Sequence, residues 1–334
     1  MITTRKTSTL NPDFSPRIDI EMSEAIKRST DMLAPPIKIN PAFDHPELAE
    51  ALIAKGAPYK TITAVHKDPA NNNTPGWFRN FWALGGKVIF DGADEMFHNP
   101  NFINAAKQSF QAEIIQPLAM MTNLNVPAAD SPPHLDLPFF RGAHAREVPS
   151  WMLAPMGYSG LFHEWAIPVA SAITWFYEGV GGDFEYWAQG PSAPSQRVQP
   201  PYSNTSVLAD NEYMYHRVGQ MGNPEDYLAT GLDSNCLLHL VNDGWEIRLG
   251  DELIRHYRRD QIRTSILWKA FCFKNQAAAD QYQDAGKNLT PDQIVDIFSA
   301  DLKARGIPFT EPLDLETDKT WIDTITSTYQ PLIS

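Results

Sequence analysis

Cysteine is scarce: Cys236 and Cys272 are the two that occur in 334 residues. Two thiols make neither a disulfide framework nor a zinc ribbon, and they fit a reducing compartment such as the cytoplasm. Long apolar runs are missing too. No stretch approaches the roughly 20 apolar residues that a bilayer span requires, so no membrane partner is expected. The basic opening, Met1 to Ile20, is not followed by an apolar segment, and no secretory leader is expected there. Positive charge is in deficit, with 27 Lys and Arg against 40 Asp and Glu and a formal net charge of -13. A surface of that sign repels phosphate backbones, which argues against nucleic acid as a partner. The chain also lacks a serine nucleophile elbow, a phosphate-cradling Gly-Lys loop, the dinucleotide glycine fingerprint and any internal repeat.

What the chain has is a 43% hydrophobic composition with 27 prolines and 9 tryptophans. That is enough for a sizeable core interrupted by many turns. Helical signals gather at the two ends. The stretch His45–Gly56 has helical apolar spacing and ends on glycine. Asn99 and Pro100 read as an N-cap and first-turn pair. Thr290 and Gln293 have capping-box spacing ahead of an apolar face made by Ile294, Ile297, Phe298 and Leu302. The middle differs. "KVIF", "AEIIQPLAMMTNLNV", "AIPVASAITWFYEG", "GDFEYWAQG", "NTSVLADNEYMYH" and "IRTSILWKAFCF" are rich in β-branched and aromatic residues between Gly, Pro, Asn and Asp. Strands in succession with helices at the ends predict a mainly β jelly roll with peripheral helices rather than a βαβ sheet. The expected organisation is a single catalytic domain over 1–334. Its jelly-roll core spans about 85–273, between an N-terminal helical region (1–84) and a C-terminal helical extension (274–334).

The chemistry gathers at "PPHLDLPFFRG". His134 and Asp136 stand two apart where a loop becomes a strand, so their side chains share a face. A third donor is needed to hold a metal, and His216 stands at the end of a later strand, before a glycine-bearing turn. Two imidazoles and one carboxylate leave open positions, an arrangement suited to a non-haem Fe(II) that must also bind a cosubstrate and oxygen. Read separately, a His-x-Asp pair and a strand-end histidine are also ordinary polar residues. Arg263 and Ser265 are two apart on a late strand. A guanidinium fork with a neighbouring hydroxyl is equipped for the far end of a dicarboxylate, and an ordinary surface pair has the same spelling.

The order His-x-Asp, distal His, Arg-x-Ser resembles the Fe(II)/2-oxoglutarate-dependent dioxygenases, in the flavour of the phytanoyl-CoA-dioxygenase-like and natural-product-tailoring members of secondary metabolism. The resemblance covers about Gly85 to Phe273. It implies a double-stranded β-helix, a cupin-like jelly roll. It implies Fe(II) on His134, Asp136 and His216, with 2-oxoglutarate and O2 as cosubstrates. Arg263 and Ser265 would then bind the distal carboxylate of 2-oxoglutarate, and Asn123 would touch the cosubstrate. In much of the family the arginine follows the distal histidine closely. Here an expected inserted hairpin intervenes, and Arg248, Arg255, Arg258 and Arg259 are rivals for the role. With Asp136 in place, hydroxylation, desaturation or oxidative cyclisation of a small organic metabolite is expected, and halogenation is not. Arg141 is a candidate for an acidic substrate at the pocket mouth. His163 and His144 are lesser candidates, and "VPSWMLAPMGYSGLF" reads as a lid or a packed loop. The alternative function is a jelly roll that binds a small molecule or a metal such as zinc, which accepts the same donors, without oxidative chemistry. A cofactor-free lectin-like module ranks third.

Overall fold

The computed structural model describes residues 34–65, 73–143, 148–200 and 202–333; His144 and the N-terminal stretch lie outside them. Short helical turns aside, the first elements are β1 (Ile37–Ile39), helix α1 (Pro46–Lys55), β2 (Tyr59–Thr61), β3 (Trp77–Leu84), β4 (Lys87–Val88) and helix α2 (Pro100–Phe110). Next come β5 (Ile114–Asn125), helix α3 (Ser150–Ser159), β6 (Val169–Tyr177), β7 (Phe184–Tyr186), β8 (Gln196–Val198), β9 (Tyr202–Ala209) and β10 (His216–Val218). The remaining elements are β11 (Leu237–Val241), β12 (Gly244–Leu249), β13 (Glu252–Arg258), β14 (Arg263–Phe273), and helices α4 (Gln276–Gln283), α5 (Pro291–Ala304) and α6 (Lys319–Thr328).

The large sheet contains the order β9-β6-β14-β5, continued by β1 at one side and by β3, β2, β11, β12 and β13 at the other. A smaller sheet has the order β10-β7-β8, and His134 extends it by pairing with His216. Along the chain, β5, the His134 segment, β6, β7, β8, β9, β10 and β14 pass between the two sheets, turning back through β7 and β8. This is the double-stranded β-helix, a jelly roll with helices packed outside. The segment up to residue 84, expected to be helical, also carries β1, β2 and β3. In β3, Phe78 and Trp82 are buried, whereas Trp77, Arg79 and Phe81 are partly exposed. The expected hairpin before β14 is a three-stranded meander, β11-β12-β13, docked on β2.

Alternation along the strands sorts side chains to two faces. From the large sheet, Phe78, Trp82, Met120, Leu124, Leu208, Ile266 and Trp268 are buried on the outer face against Leu52 and Ile53 of α1 and Phe102, Ala105 and Ala106 of α2. Each such large side chain contributes about 1.5–3 kcal/mol through burial. The Trp268 indole donates to the Phe97 carbonyl at 2.8 Å, which satisfies its one polar atom. A second core joins Met152 and Met156 of α3 to Phe298 and Leu302 of α5 and Trp321 and Ile325 of α6. The segment read as a lid or loop is therefore a helix in a core, with Pro155 inside it. The Thr290–Gln293 capping box is formed at the start of α5, and Asn99 caps α2.

Candidate metal centre

His134 and His216 face each other across the edge of the smaller sheet. Each backbone N–H donates to the other's carbonyl at 3.0 Å. That reciprocal pair places the two rings side by side, with centroids 4.4 Å apart. The Nδ1 of His134 lies 3.0 Å from the Pro132 carbonyl, and the Nδ1 of His216 lies 3.0 Å from the Met214 carbonyl. A carbonyl can only accept, so each ring donates from Nδ1, and Nε2 is the ring nitrogen left to face a metal. Asp136, two residues along, is anchored by its backbone N–H to the Asn211 carbonyl at 2.9 Å. One donor atom from each of His134, Asp136 and His216 lies within 4.8 Å of the others. Donors about 2 Å from one cation stand roughly 3–4 Å apart, so the set needs little closure to fit one.

The electrostatics suit the same purpose. Burial, opposed by Asp136, pulls the His216 imidazole down to about 4, so it is neutral at neutral pH. Its 3.7 Å approach to Asp136 Oδ1 is therefore not an ion pair. Burial alone would raise the Asp136 carboxyl, yet Lys269 and the two imidazoles outweigh it and hold the group well below the usual carboxylate range. The partner is close: Lys269 Nζ lies 2.8 Å from Asp136 Oδ2. One carboxylate oxygen is thus engaged by an ammonium, and the other faces His216. Burial would lower the Lys269 ammonium, but Asp136 and Glu212 overcome it and hold the group charged. Behind it, Glu212 Oε1 is 4.0 Å from Lys269 Nζ. Burial pushes the Glu212 carboxyl well up against the pull of Lys269.

Arg263 opens β14, and its period-two neighbours Ser265, Leu267 and Lys269 share its face. That is the inward face, because Lys269 meets Asp136 there. Arg263, Ser265 and Asn123 are all buried, and Ser265 pairs directly with Asn123 across β14 and β5. The Arg263 Nε donates to the Gly182 carbonyl at 2.8 Å. Gly182 has φ +74 and lies against the Arg263 Cδ, where a Cβ would come within 3.0 Å; only glycine holds this turn without strain. Burial lowers the Arg263 guanidinium, and its Nη2 is buried without a hydrogen-bond partner. A buried cation with an orphaned donor is suited to an anion.

The rival arginines lie elsewhere. Arg248 pairs with Glu246, Arg255 with Asp226 and Arg258 with Asp260. Arg259 reaches the Val241 carbonyl from an exposed position. Arg141 is buried, with its Nε donating to the Lys287 carbonyl at 3.0 Å, so it fastens the C-terminal segment. The His163 ring stacks on Tyr213 with centroids 5.7 Å apart. Lys269 and Glu212 were not picked out by motif. The signal for Lys269 was a single charge inside the apolar run "ILWKAFCF", which a buried strand tolerates only with a partner.

Fold and site together define a double-stranded β-helix protein with a His-Asp-His cluster between its sheets. No protein-family model matches the chain, and no curated protein does. Among solved structures it is similar to an oxidoreductase of the 2OG-Fe(II) oxygenase family from Burkholderia pseudomallei, at 11% identity over 76% of this chain and 91% of that one, with a TM-score of 0.40. It is also similar to a Pseudomonas putida prolyl-4-hydroxylase, at 14% identity over 76% of this chain and 100% of that one, TM-score 0.38. A third is EctD from S. alaskensis, solved with 2-oxoglutarate and 5-hydroxyectoine, at 10% identity over 74% and 75%, TM-score 0.38. Among the described residues, no helix is long and apolar enough to cross a membrane.

Proposed function

We propose that the protein is a non-haem Fe(II)/2-oxoglutarate-dependent oxygenase acting on a C–H bond of a small organic metabolite. The observation that carries this reading is the convergence of His134, Asp136 and His216 within 4.8 Å, on the inward face that also holds the buried Arg263. The two Nε2 lone pairs and one Asp136 oxygen would hold the metal on one side only. Bound there with its cosubstrate, the iron would supply the oxidising power for C–H cleavage, with succinate and CO2 as coproducts.

The chain's own residues do the placing. The Pro132 and Met214 carbonyls fix the tautomer and aim of the two imidazoles. Lys269 keeps one Asp136 oxygen occupied, so the carboxylate offers a single oxygen to a metal and leaves room for further ligands. Arg263 and Ser265 would grip the distal carboxylate of 2-oxoglutarate, with Asn123 beside them. An Asp136 carboxylate in place leaves no position for a bound halide, which favours hydroxylation, desaturation or cyclisation.

Release of succinate from 2-oxoglutarate tests the reading. The Fe(II)-loaded protein is expected to form succinate with O2 present, and His216→Ala to form none while keeping its fold by circular dichroism. Tight metal binding without any succinate would favour a metal-binding jelly roll that does no oxidation.

A further inference from the structure

The smaller sheet turns one face toward the large one, and its register runs outward from the His-Asp-His cluster. His134 pairs with His216, His216 with Tyr186, and Tyr186 with Gln196. Residues directly opposite share a face, so Tyr186 and Gln196 stand on the same side as the two imidazoles. That side is the inward one. Phe184, two residues before Tyr186, packs on Trp175 of β6 with ring centroids 5.4 Å apart, and Trp175 pairs with Ser265 on the inward face of the large sheet. Charge is confined to the other face of β7 and β8. There Glu185 meets Arg217 at 2.6 Å and Arg197 at 3.1 Å. Inward, the two strands carry Phe184, Tyr186, Gln196 and Val198, none of them charged.

Exposure rises along the row. His216 and Phe184 are buried, Tyr186 is half-buried and Gln196 is exposed. The Tyr186 ring stacks on Phe184 with centroids 5.6 Å apart, and Phe184 lies at the same 5.6 Å from the His216 ring. An aromatic surface therefore leads from the His216 imidazole out to solvent. Its outer end is polar and fixed. The Tyr186 hydroxyl donates to Gln196 Oε1 at 3.0 Å, and burial raises the phenol, which keeps it a donor. With Oε1 engaged, the glutamine presents its Nε2 hydrogens, which meet no acceptor among the described residues. β8 lies two strand spacings, about 10 Å, from β10.

We propose that Tyr186 and Gln196 bind the substrate, and that its class is an uncharged, elongated molecule whose body lies along the Tyr186 ring and whose carbonyl or hydroxyl oxygen accepts from Gln196 Nε2. The inference rests on the oxygenase reading of the neighbouring site. An amide N–H satisfies a neutral acceptor, whereas a charged group brought against these uncharged side chains loses water without gaining a counter-charge. The aromatic ring covers an apolar body. The Tyr186 hydroxyl fixes the amide before the ligand arrives, which limits the ordering cost of binding. The spacing of the strands sets the reach: the oxygen sits about 10 Å from the end of the molecule that meets the metal centre.

The test is a calorimetric titration of the full chain with two matched series, octanoyl and 4-phenylbutyl, each as amide, alcohol, carboxylate and amine. It is run with and without Ni(II) and 2-oxoglutarate. At least one amide or alcohol is expected to bind, with its acid and amine about 10-fold weaker or more. Gln196→Leu should weaken the neutral probe about 3- to 10-fold, the usual net worth of an uncharged hydrogen bond. Gln196→Glu, which replaces donors by acceptors, should move the preference to the amine. Both substitutions fall on an exposed side chain, so the fold is not at stake. With Mn(II) in place of Ni(II), probe protons far from the oxygen should relax faster in NMR than those beside it. Binding of no neutral probe overturns the inference, as does a preference for the acid, affinity unchanged in Gln196→Leu, or the reverse order of relaxation. The visible band of Fe(II) with 2-oxoglutarate is read separately on the unsubstituted protein. Gln196-dependent binding without that band keeps the neutral-ligand site and rejects the oxygenase reading; the band without such binding does the opposite.

Discussion

Lys269 is the residue on which the geometry of Asp136 depends. Its ammonium meets the carboxylate at 2.8 Å in a largely buried setting. Removing one partner of such a pair leaves the other charge uncompensated, which costs about 3–5 kcal/mol. Lys269→Met is therefore expected to lower unfolding stability of the metal-free protein by about 3 kcal/mol. The double variant with Asp136→Asn should recover most of that loss, since little charge is then left unpaired. Denaturant titrations of the four proteins measure the coupling, and additive losses would refute it. His216 gives a pH dependence of known sign. Its folded value of about 4 lies below the ordinary imidazole value of about 6.5, so the unfolded chain binds the proton more readily. The metal-free protein should hold full stability from this group above about pH 6.5 and lose on the order of 3 kcal/mol as pH falls toward 4. Melting the chelator-treated protein across that range, beside His216→Asn, checks it. A slope that persists unchanged in the variant would assign the effect to other groups.

Among the elements, β14 decides the cosubstrate question. Arg263→Ala is expected to weaken 2-oxoglutarate binding by about 2–5 kcal/mol, as for truncating one side of a buried charge pair. Alanine at Arg248, Arg255, Arg258 or Arg259 should leave it unchanged, because those side chains are engaged on or near the meander. Anaerobic titration of each variant distinguishes them, and a large loss at any of the four would move the site. At the start of α5, Thr290→Ala should cost about 1 kcal/mol by removing the cap, read as a shift in the thermal midpoint. A shift no larger than at an uncapped surface threonine would contradict the cap's role. The sequence made β14, α5 and the His134–Asp136 step readable for a common reason: local spacing determines which side chains share a face. It hid α3, because Pro155 and an all-round apolar composition leave no periodicity. Lys269 lies four positions beyond Ser265 on the same alternation, but what it meets is settled by strands far away in the chain.

At the scale of the whole molecule, two sheets bring together what the chain keeps apart. His134 and Asp136 enter on one side of the jelly roll. His216 returns beside them on β10, and β14 delivers Arg263 and Lys269 across the gap. The outer helices bury the far face of the large sheet and leave its inner face to the site. Metal-ligating residue types on the smaller sheet and its His134–Asp136 edge thus meet Lys269 of β14, on the inward face that also holds Arg263, Ser265 and Asn123. The most direct measurement is anaerobic addition of Fe(II) and then 2-oxoglutarate to the full chain, followed by visible absorption. The account predicts a charge-transfer band that appears only with both, is abolished in His216→Ala, and requires more 2-oxoglutarate in Arg263→Ala. No band in the unsubstituted protein, or a band that persists at full strength in His216→Ala, would contradict it.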